Sequence, residues 1–170
     1  MGSAALSCVL TVNAGSSSLK LGLWRGERVL ATAMADDLGA KGTLSLNGSR
    51  IRGGAHDSVA AFRTLLAALM EIARPEAVGH RLVHGGPMFS APTVVDARVM
   101  RELRTLRPLA PLHLPQELAL ISAARSLKVP QVVCFDTAFH HTLPERARTL
   151  PLPAAMRRTG LRRYGFHGLS

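Results

Sequence analysis

Apolar residues first recur along this chain with the short period of a strand. Leu6 to Val12 is apolar and β-prone, NAGSSS over 13–18 is turn chemistry, and Leu19 to Trp24 alternates apolar residues with Lys20 and Gly22. Together they predict a hairpin whose loop is crowded with small hydroxyl residues. Further short strands are expected over 28–33 and 42–51, punctuated by Asp36, Asp37, Gly39, Asn47 and Gly48, with their pairing left open. From Asp57 the period lengthens, as Val59, Phe62, Leu65, Leu66, Leu69, Met70 and Ala73 recur mostly three or four apart. Asp57 or Ser58 can cap the start and Pro75 stops the end, so a helix is predicted over 57–73. A strand over 77–83 and the turn HGGP follow.

A second helix is expected from an Asp96 cap through Val99, Leu103 and Leu106, closed by Pro108. A third has Pro115 in its first turn, buries Leu118, Ile121 and Ala124, and ends before Pro130. The strand predicted over 131–135 then delivers Asp136 at its carboxyl end. Strands alternating with helices predict an α/β fold with a mixed sheet. After His140 the chain is rich in Pro and Arg, and its last residues, YGFHGLS, carry no stop signal and no closing element. The expected organisation is one domain over 1–138 and, over 139–170, a connection into a second domain that is mostly missing.

Composition narrows the classes. With 170 residues, 47% hydrophobic and 19% charged, the chain can bury one globular core without staples. Cys8 and Cys134 each sit in an apolar run, where a thiol acts as a small hydrophobe, and no metal-ligand spacing accompanies them; a reducing cytoplasm is expected. The apolar stretch over 4–14 lacks a preceding Lys or Arg, and no run approaches membrane-spanning length, so neither export nor a membrane is expected. Lys and Arg number 21 against 11 Asp and Glu. That excess raises nucleic-acid binding, but with 4% aromatic residues there is no stacking platform, and solvated basic faces are the better reading.

Three strings carry candidate chemistry. In VLTVNAGSSSLKLGLW, the turn Gly15, Ser16, Ser17, Ser18 lets backbone N–H groups and hydroxyls approach phosphate oxygens, with Lys20 adding charge; a plain hairpin is the alternative. In GHRLVHGGPMF, Arg81 lies among apolar Leu82 and Val83 near the end of a buried strand. It needs an anionic partner there, either in a structural ion pair or as a fork for a carboxylate or phosphate, and Gly85 and Gly86 permit close approach by a ligand or another strand. In PLAPLHLP, VVCFDTAFHHTLP and RRYGFHG, Asp136 sits where ligands bind in α/β sheets. His140 and His141 lack a spaced third ligand, which argues against a metal. His167 reads either as a core histidine or, with Gly165 and Gly168 around Phe166 and itself, as part of a constrained functional turn.

NAGSSSLK, HRLVHGG, PLAPLH, FDTAFH and RRYGFHG, in this order and separation, resemble the acetate kinase or acetokinase family, which includes propionate and butyrate kinases; the resemblance runs from Val9 to Gly168. It implies an RNase H-like fold of the sugar kinase, Hsp70 and actin type, whose two related domains close on ATP, this chain supplying the first. It also implies transfer of the ATP γ-phosphoryl group to acetate or a similar carboxylate with Mg2+, ADP as the other product, and a cytoplasmic homodimer in full-length form. Residue by residue, Asn13 resembles the magnesium residue, and Lys20 with Ser16 and Ser18 the ATP-side turn. Arg81 resembles the carboxylate clamp, Val83, Leu112 and Phe166 the methyl pocket, and Asp136 and His167 the catalytic pair. A carboxylate needs no strong base, so Asp136 is expected to orient Arg81 or magnesium-bound water. Leu114 replaces a common asparagine and Leu169 a common threonine, and the second-domain arginine, glycine-rich loops and late magnesium-binding glutamate have no counterpart. The chain alone is therefore expected to be inactive, the alternatives being a propionate or butyrate kinase, or a relic domain that binds carboxylate or phosphate without catalysis.

Overall fold

The computed structural model describes residues 7–165 and 167–169. Strands β1 (Cys8–Ala14) and β2 (Leu19–Arg25) form the expected antiparallel hairpin, closed by the Gly15 N–H donating to the Ser18 carbonyl at 2.8 Å. The first strand runs two residues beyond its expected end, because Asn13 and Ala14 pair with Lys20 and Leu19 and shorten the loop to 15–18; Leu6 lies outside the described residues. β3 (Arg28–Asp36) continues antiparallel on β2, also longer than expected. The stretch 42–51 divides into β4 (Thr43–Leu46) and β5 (Ser49–Ile51) around Asn47 and Gly48, whose φ angles of 49° and 79° suit a two-residue hairpin loop.

Helix α1 (Ser58–Met70) begins where Asp57 accepts the N–H groups of Val59 and Ala60, each at 2.8 Å. Its stripe of Phe62, Leu65, Leu66 and Leu69 packs on the sheet with Leu10, Leu21, Leu23 and Ala33. β6 (Ala77–Leu82) then runs parallel to β1. A two-residue strand that the pattern did not predict, β7 (Thr93–Val94), lines the far edge, antiparallel to β8 (Gln131–Phe135), which is parallel to β6. The order β5-β4-β3-β2-β1-β6-β8-β7 makes the mixed sheet expected from sequence.

Helix α2 (Ala97–Thr105) uses the Asp96 cap, the Val99 N–H reaching its carboxylate at 2.7 Å. Pro108 lies in a separate 3-10 turn, Arg107–Leu109, so the α-helix stops three residues before it. Helix α3 (Leu114–Ala124) joins α2 over β6 and β8 in a second core of Leu82, Met100, Leu103, Leu118, Ile121, Val133 and Phe135. Leu114 is fully buried in that core, which gives apolar packing at one of the two positions where the chain departs from the motif. Three single-turn helices follow: α4 (Asp136–Phe139), α5 (Glu145–Arg148) and α6 (Ala154–Arg157). Among the described residues no helix is long and apolar enough to cross a membrane.

The two faces of the sheet differ. Toward the helices point Leu10, Val12, Leu21, Val78, Val133 and Phe135, all buried. On the other face Val9, Asn13, Ala77, Val132 and Cys134 are half-exposed and Thr11 and Lys20 exposed, and nothing lies within 4 Å of where a Cβ on Gly79 would stand. Trp24, the sole tryptophan, lies across that face and donates its indole N–H to Thr11 Oγ1 at 3.1 Å; a Cβ on Gly22 would stand 2.5 Å from the indole nitrogen. Leu65→Ala, at a fully buried contact of α1 with the sheet, should lower unfolding free energy by about 2–5 kcal/mol, and Asp57→Ala by about 1 kcal/mol. Urea titration followed by Trp24 fluorescence measures both losses.

Candidate functional site

Because β1, β6 and β8 are parallel, their carboxyl ends lie side by side, and chemistry-bearing residues far apart in sequence gather there. Asn13 is paired with Lys20 on one side and Arg81 on the other, so the three residues form a row across one sheet face. Arg81 donates from Nε to Asp136 Oδ1 at 2.9 Å and from Nη2 to Oδ2, with Nη1 turned to the Ala14 carbonyl at 3.5 Å. The Asp136 side chain is 1% exposed and that of Arg81 14%, so the pair is held nearly out of water. Removing one member of such a pair strands the other, which typically costs about 3–5 kcal/mol.

A cavity of about 460 Å³ opens above this pair, lined by Gly15, Ser16, Arg81, Val83, Asp136 and His167, with the segment Leu109–His113 forming a wall. Of the residues singled out from sequence, Ser16, Arg81, Val83, Leu112, Asp136 and His167 therefore meet in one place. Leu112 is 81% exposed, so the wall it forms is open to solvent. Lys20 does not line the cavity: it stands two strand spacings from Arg81, about 10 Å, in a hollow with Thr32 and Met34. Asn13 and Ser18 also lie outside the lining, and Phe166 lies outside the described residues.

Glycines bring His167 to the cavity. A Cβ on Gly168 would collide with the Asp136 carbonyl and Phe139, and one on Gly165 with the His140 ring. The tail can thus lie directly on α4, and His167 takes a φ of 54°, a left-handed value uncommon outside glycine. Tyr164 meets the His84 ring edge-on at 4.5 Å, tying the same string to the exit of β6. Gly85 and Gly86 admit protein rather than a ligand: a Cβ on Gly85 would lie 2.6 Å from the Phe89 carbonyl, and one on Gly86, whose φ is 61°, 2.6 Å from Leu106. His140 packs edge-on against Phe139, the His141 ring lies 2.8 Å from the Ala138 carbonyl, and among the described residues no group of three His, Cys, Asp or Glu could hold a metal.

Several residues that shape the site were missed from sequence. Glu117, 3% exposed, accepts the Val83 N–H at 3.2 and 3.3 Å. Its signal was present, since it falls on the stripe 114, 118, 121 where a charge breaks the pattern. Thr137 accepts the Gly85 N–H at 2.9 Å, and Gln116 donates to the Gly15 carbonyl at 3.3 Å, linking α3 to the serine turn. His80, buried beneath the sheet, pairs with Gln131 at 2.8 Å. Burial pushes the Glu117 carboxyl up to about 7, against the opposing pull of the Val83 N–H and the Arg81 charge. Burial also pulls the His80 imidazole down to about 4, and the Gln131 bond only partly restores it.

The mixed sheet, with its antiparallel meander leading into parallel strands and a site at their carboxyl ends, defines an RNase H-like α/β domain. A family model described as "Acetokinase family" matches residues 8–170, and this chain belongs to that family. It is 42% identical to the acetate kinase of Pseudomonas aeruginosa over 177 residues, and 39% identical to that of Rhodopseudomonas palustris over 186. Among solved structures it superimposes on a Porphyromonas gingivalis acetate kinase with a TM-score of 0.85 at 37% identity, and on a Francisella tularensis propionate kinase with 0.85 at 30%. These matches cover 95–96% of this chain but 44–46% of the relatives, so the chain spans less than half their length.

The two buried titrations have opposite signs. Folded Glu117 holds a proton that the unfolded chain releases above about 4.5, so stability falls as pH rises from there to about 7, by about 3 kcal/mol in all. Folded His80 refuses a proton that the unfolded chain binds below about 6.5, so its contribution is lost as pH falls from there toward 4. Glu117→Gln should therefore gain stability over the parent at pH 8, match it near pH 5, and leave the acid-side loss from His80 intact. Melting temperatures from pH 4 to 8 read out the difference.

Proposed function

We propose that this chain carries the carboxylate-facing side of a phosphotransferase site that moves the γ-phosphoryl group of ATP reversibly to acetate or a short homologue. The observation that supports this most is the Arg81–Asp136 pair at the floor of a cavity that combines one apolar wall with His167. Asp136 takes the Nε and Nη2 donors of the guanidinium and fixes its plane at the cavity lining, where a substrate carboxylate would meet its charge. Asp136 acts here as an orienting group, and an already ionised carboxylate asks no proton abstraction of it. Val83 and Leu112 accept the alkyl end of the substrate. His167 donates a hydrogen bond to the transferring phosphoryl, whose charge grows on its outer oxygens.

The donors present fit magnesium, which binds through phosphate oxygens and water with few protein ligands. Asn13, with an amide oxygen at the carboxyl end of β1 beside Arg81, would hold it, and Ser16, Ser18 and Lys20 would face the nucleotide phosphates across the serine turn. When bound, the ion neutralises charge on the phosphates. The domain is taken to end near residue 138, and the full-length form is read as a cytoplasmic homodimer.

The 170-residue chain alone should show no turnover in a coupled assay with acetate, ATP and magnesium, since the relatives carry more than half their length beyond what it spans; turnover in the ordinary enzyme range would overturn that. In a polypeptide of the relatives' full length, His167→Ala should lower the turnover number by about two to three powers of ten, with the Michaelis constant for acetate within a few-fold. A lowered melting temperature with near-normal turnover would instead make His167 a structural residue. Arg81→Lys keeps charge but loses the fork and should recover only part of the activity that Arg81→Ala loses. Equal kinetics for Lys and Arg would reduce Arg81 to an ion-pair role.

A further inference from the structure

Glu117 occupies the one position of the α3 stripe where apolar packing is interrupted by charge, between Leu114, Leu118 and Ile121, all buried. Both its carboxyl oxygens stand within 3.3 Å of the N–H of Val83, the first peptide after β6 ends and part of the cavity wall. The groups around it are unbalanced. From β6 comes the Arg81 guanidinium, already engaged by Asp136 of α4, whose own negative charge opposes ionisation of Glu117. His80 of β6 and His84 just beyond it are both pulled toward the neutral form by burial, and His113 stands at the N-cap of α3, four residues before Glu117. α2 faces α3 with Val99, Met100 and Leu103, and α1 faces it with the apolar stripe that meets Leu120 and Ala124.

We infer that Glu117 is the positioning residue of this cavity, holding the Val83 wall, and that it takes up one proton from solvent when a carboxylate occupies the Arg81 clamp. This rests on the carboxylate reading of the site given above. With Asp136 and Glu117 both ionised, the single guanidinium is already outnumbered, and an incoming carboxylate adds a third negative charge beside two buried ones. The charge least compensated by donors is the one at Glu117, so the proton goes to one of its oxygens. The other oxygen still accepts the Val83 N–H, so the wall stays in place while the repulsion disappears. Because that carboxyl already titrates near neutrality, the uptake falls in an accessible pH range.

Labelled with 15N and 13C, the 170-residue chain permits a direct test by NMR. The Val83 amide and the Glu117 carboxyl should titrate together with a midpoint near neutral pH, and the Val83 titration should vanish in Glu117→Gln. Added acetate should raise that midpoint, and acetate affinity should fall roughly three- to tenfold between pH 6 and pH 8 in the parent while changing less than about twofold in the variant. A Val83 titration that persists unchanged in Glu117→Gln overturns the positioning role. A midpoint unmoved by acetate that does perturb the Arg81 Nε resonance overturns the proton uptake. If acetate perturbs neither Arg81 nor Val83, the carboxylate reading falls and the uptake with it, while the pH titration still decides whether Glu117 holds Val83. Should Glu117→Gln fail to fold, the Glu117 carboxyl midpoint in the parent, with and without acetate, decides the uptake.

Discussion

Arg81 and Asp136 stand 55 positions apart in sequence, and the sheet is arranged so that they meet. One lies next to the last residue of a parallel strand and the other begins the short helix after the neighbouring strand, a geometry that antiparallel neighbours would not provide. Neither charge could be buried alone, and with both present the guanidinium plane is fixed at the cavity floor. The wall residue Val83 and the glycine-lined tail carrying His167 then have a defined surface to converge on. Preorganisation of this kind, with donors held in place before any substrate arrives, is where most of the stabilisation of a transferring phosphoryl group originates.

How much could be read from the residues alone depended on how local the signal was. The helix begun by Asp57, the Asp96 cap and the strand over 131–135 emerged where expected, because periodicity and capping act within a few residues. The two-residue edge strand Thr93–Val94 carries no period and exists only because β8 offers it a ladder, so it could not be anticipated. The cluster of Arg81, Asp136 and His167 was legible as a resemblance of strings. What was not legible was the support beneath them: Glu117, Thr137 and Gln116 act through single contacts to backbone atoms tens of residues away. The twin glycines after β6 left open close approach by a ligand or by another strand, and it is protein, Phe89 and Leu106, that fills the space, a packing fact that no local pattern encodes.

The charge balance also changes once burial is known. The chain has 11 acidic side chains against 21 Lys and Arg, and two of the acids, Asp136 and Glu117, are withdrawn into the site together with one arginine, Arg81. What solvent meets is therefore more positive than the composition states. A positive exterior raises the local concentration of anions of every kind, which would favour encounter with carboxylates and phosphates without discriminating among them. Discrimination is left to the cavity, where one guanidinium is offset by two carboxyl groups.

The bare side of the sheet carries a further consequence. Strands that pair in parallel usually have both faces packed, yet among the described residues β1, β6 and β8 have helices on one face and leave Val9, Ala77, Gly79 and Val132 partly open on the other. Any surface that settles there recognises the folded sheet and not the unfolded chain, so its binding energy adds directly to the folding energy of these residues. The two quantities are then one thermodynamic account measured from different ends, and the melting point of the uncovered chain is a floor beneath that of the same residues with a lid on that side.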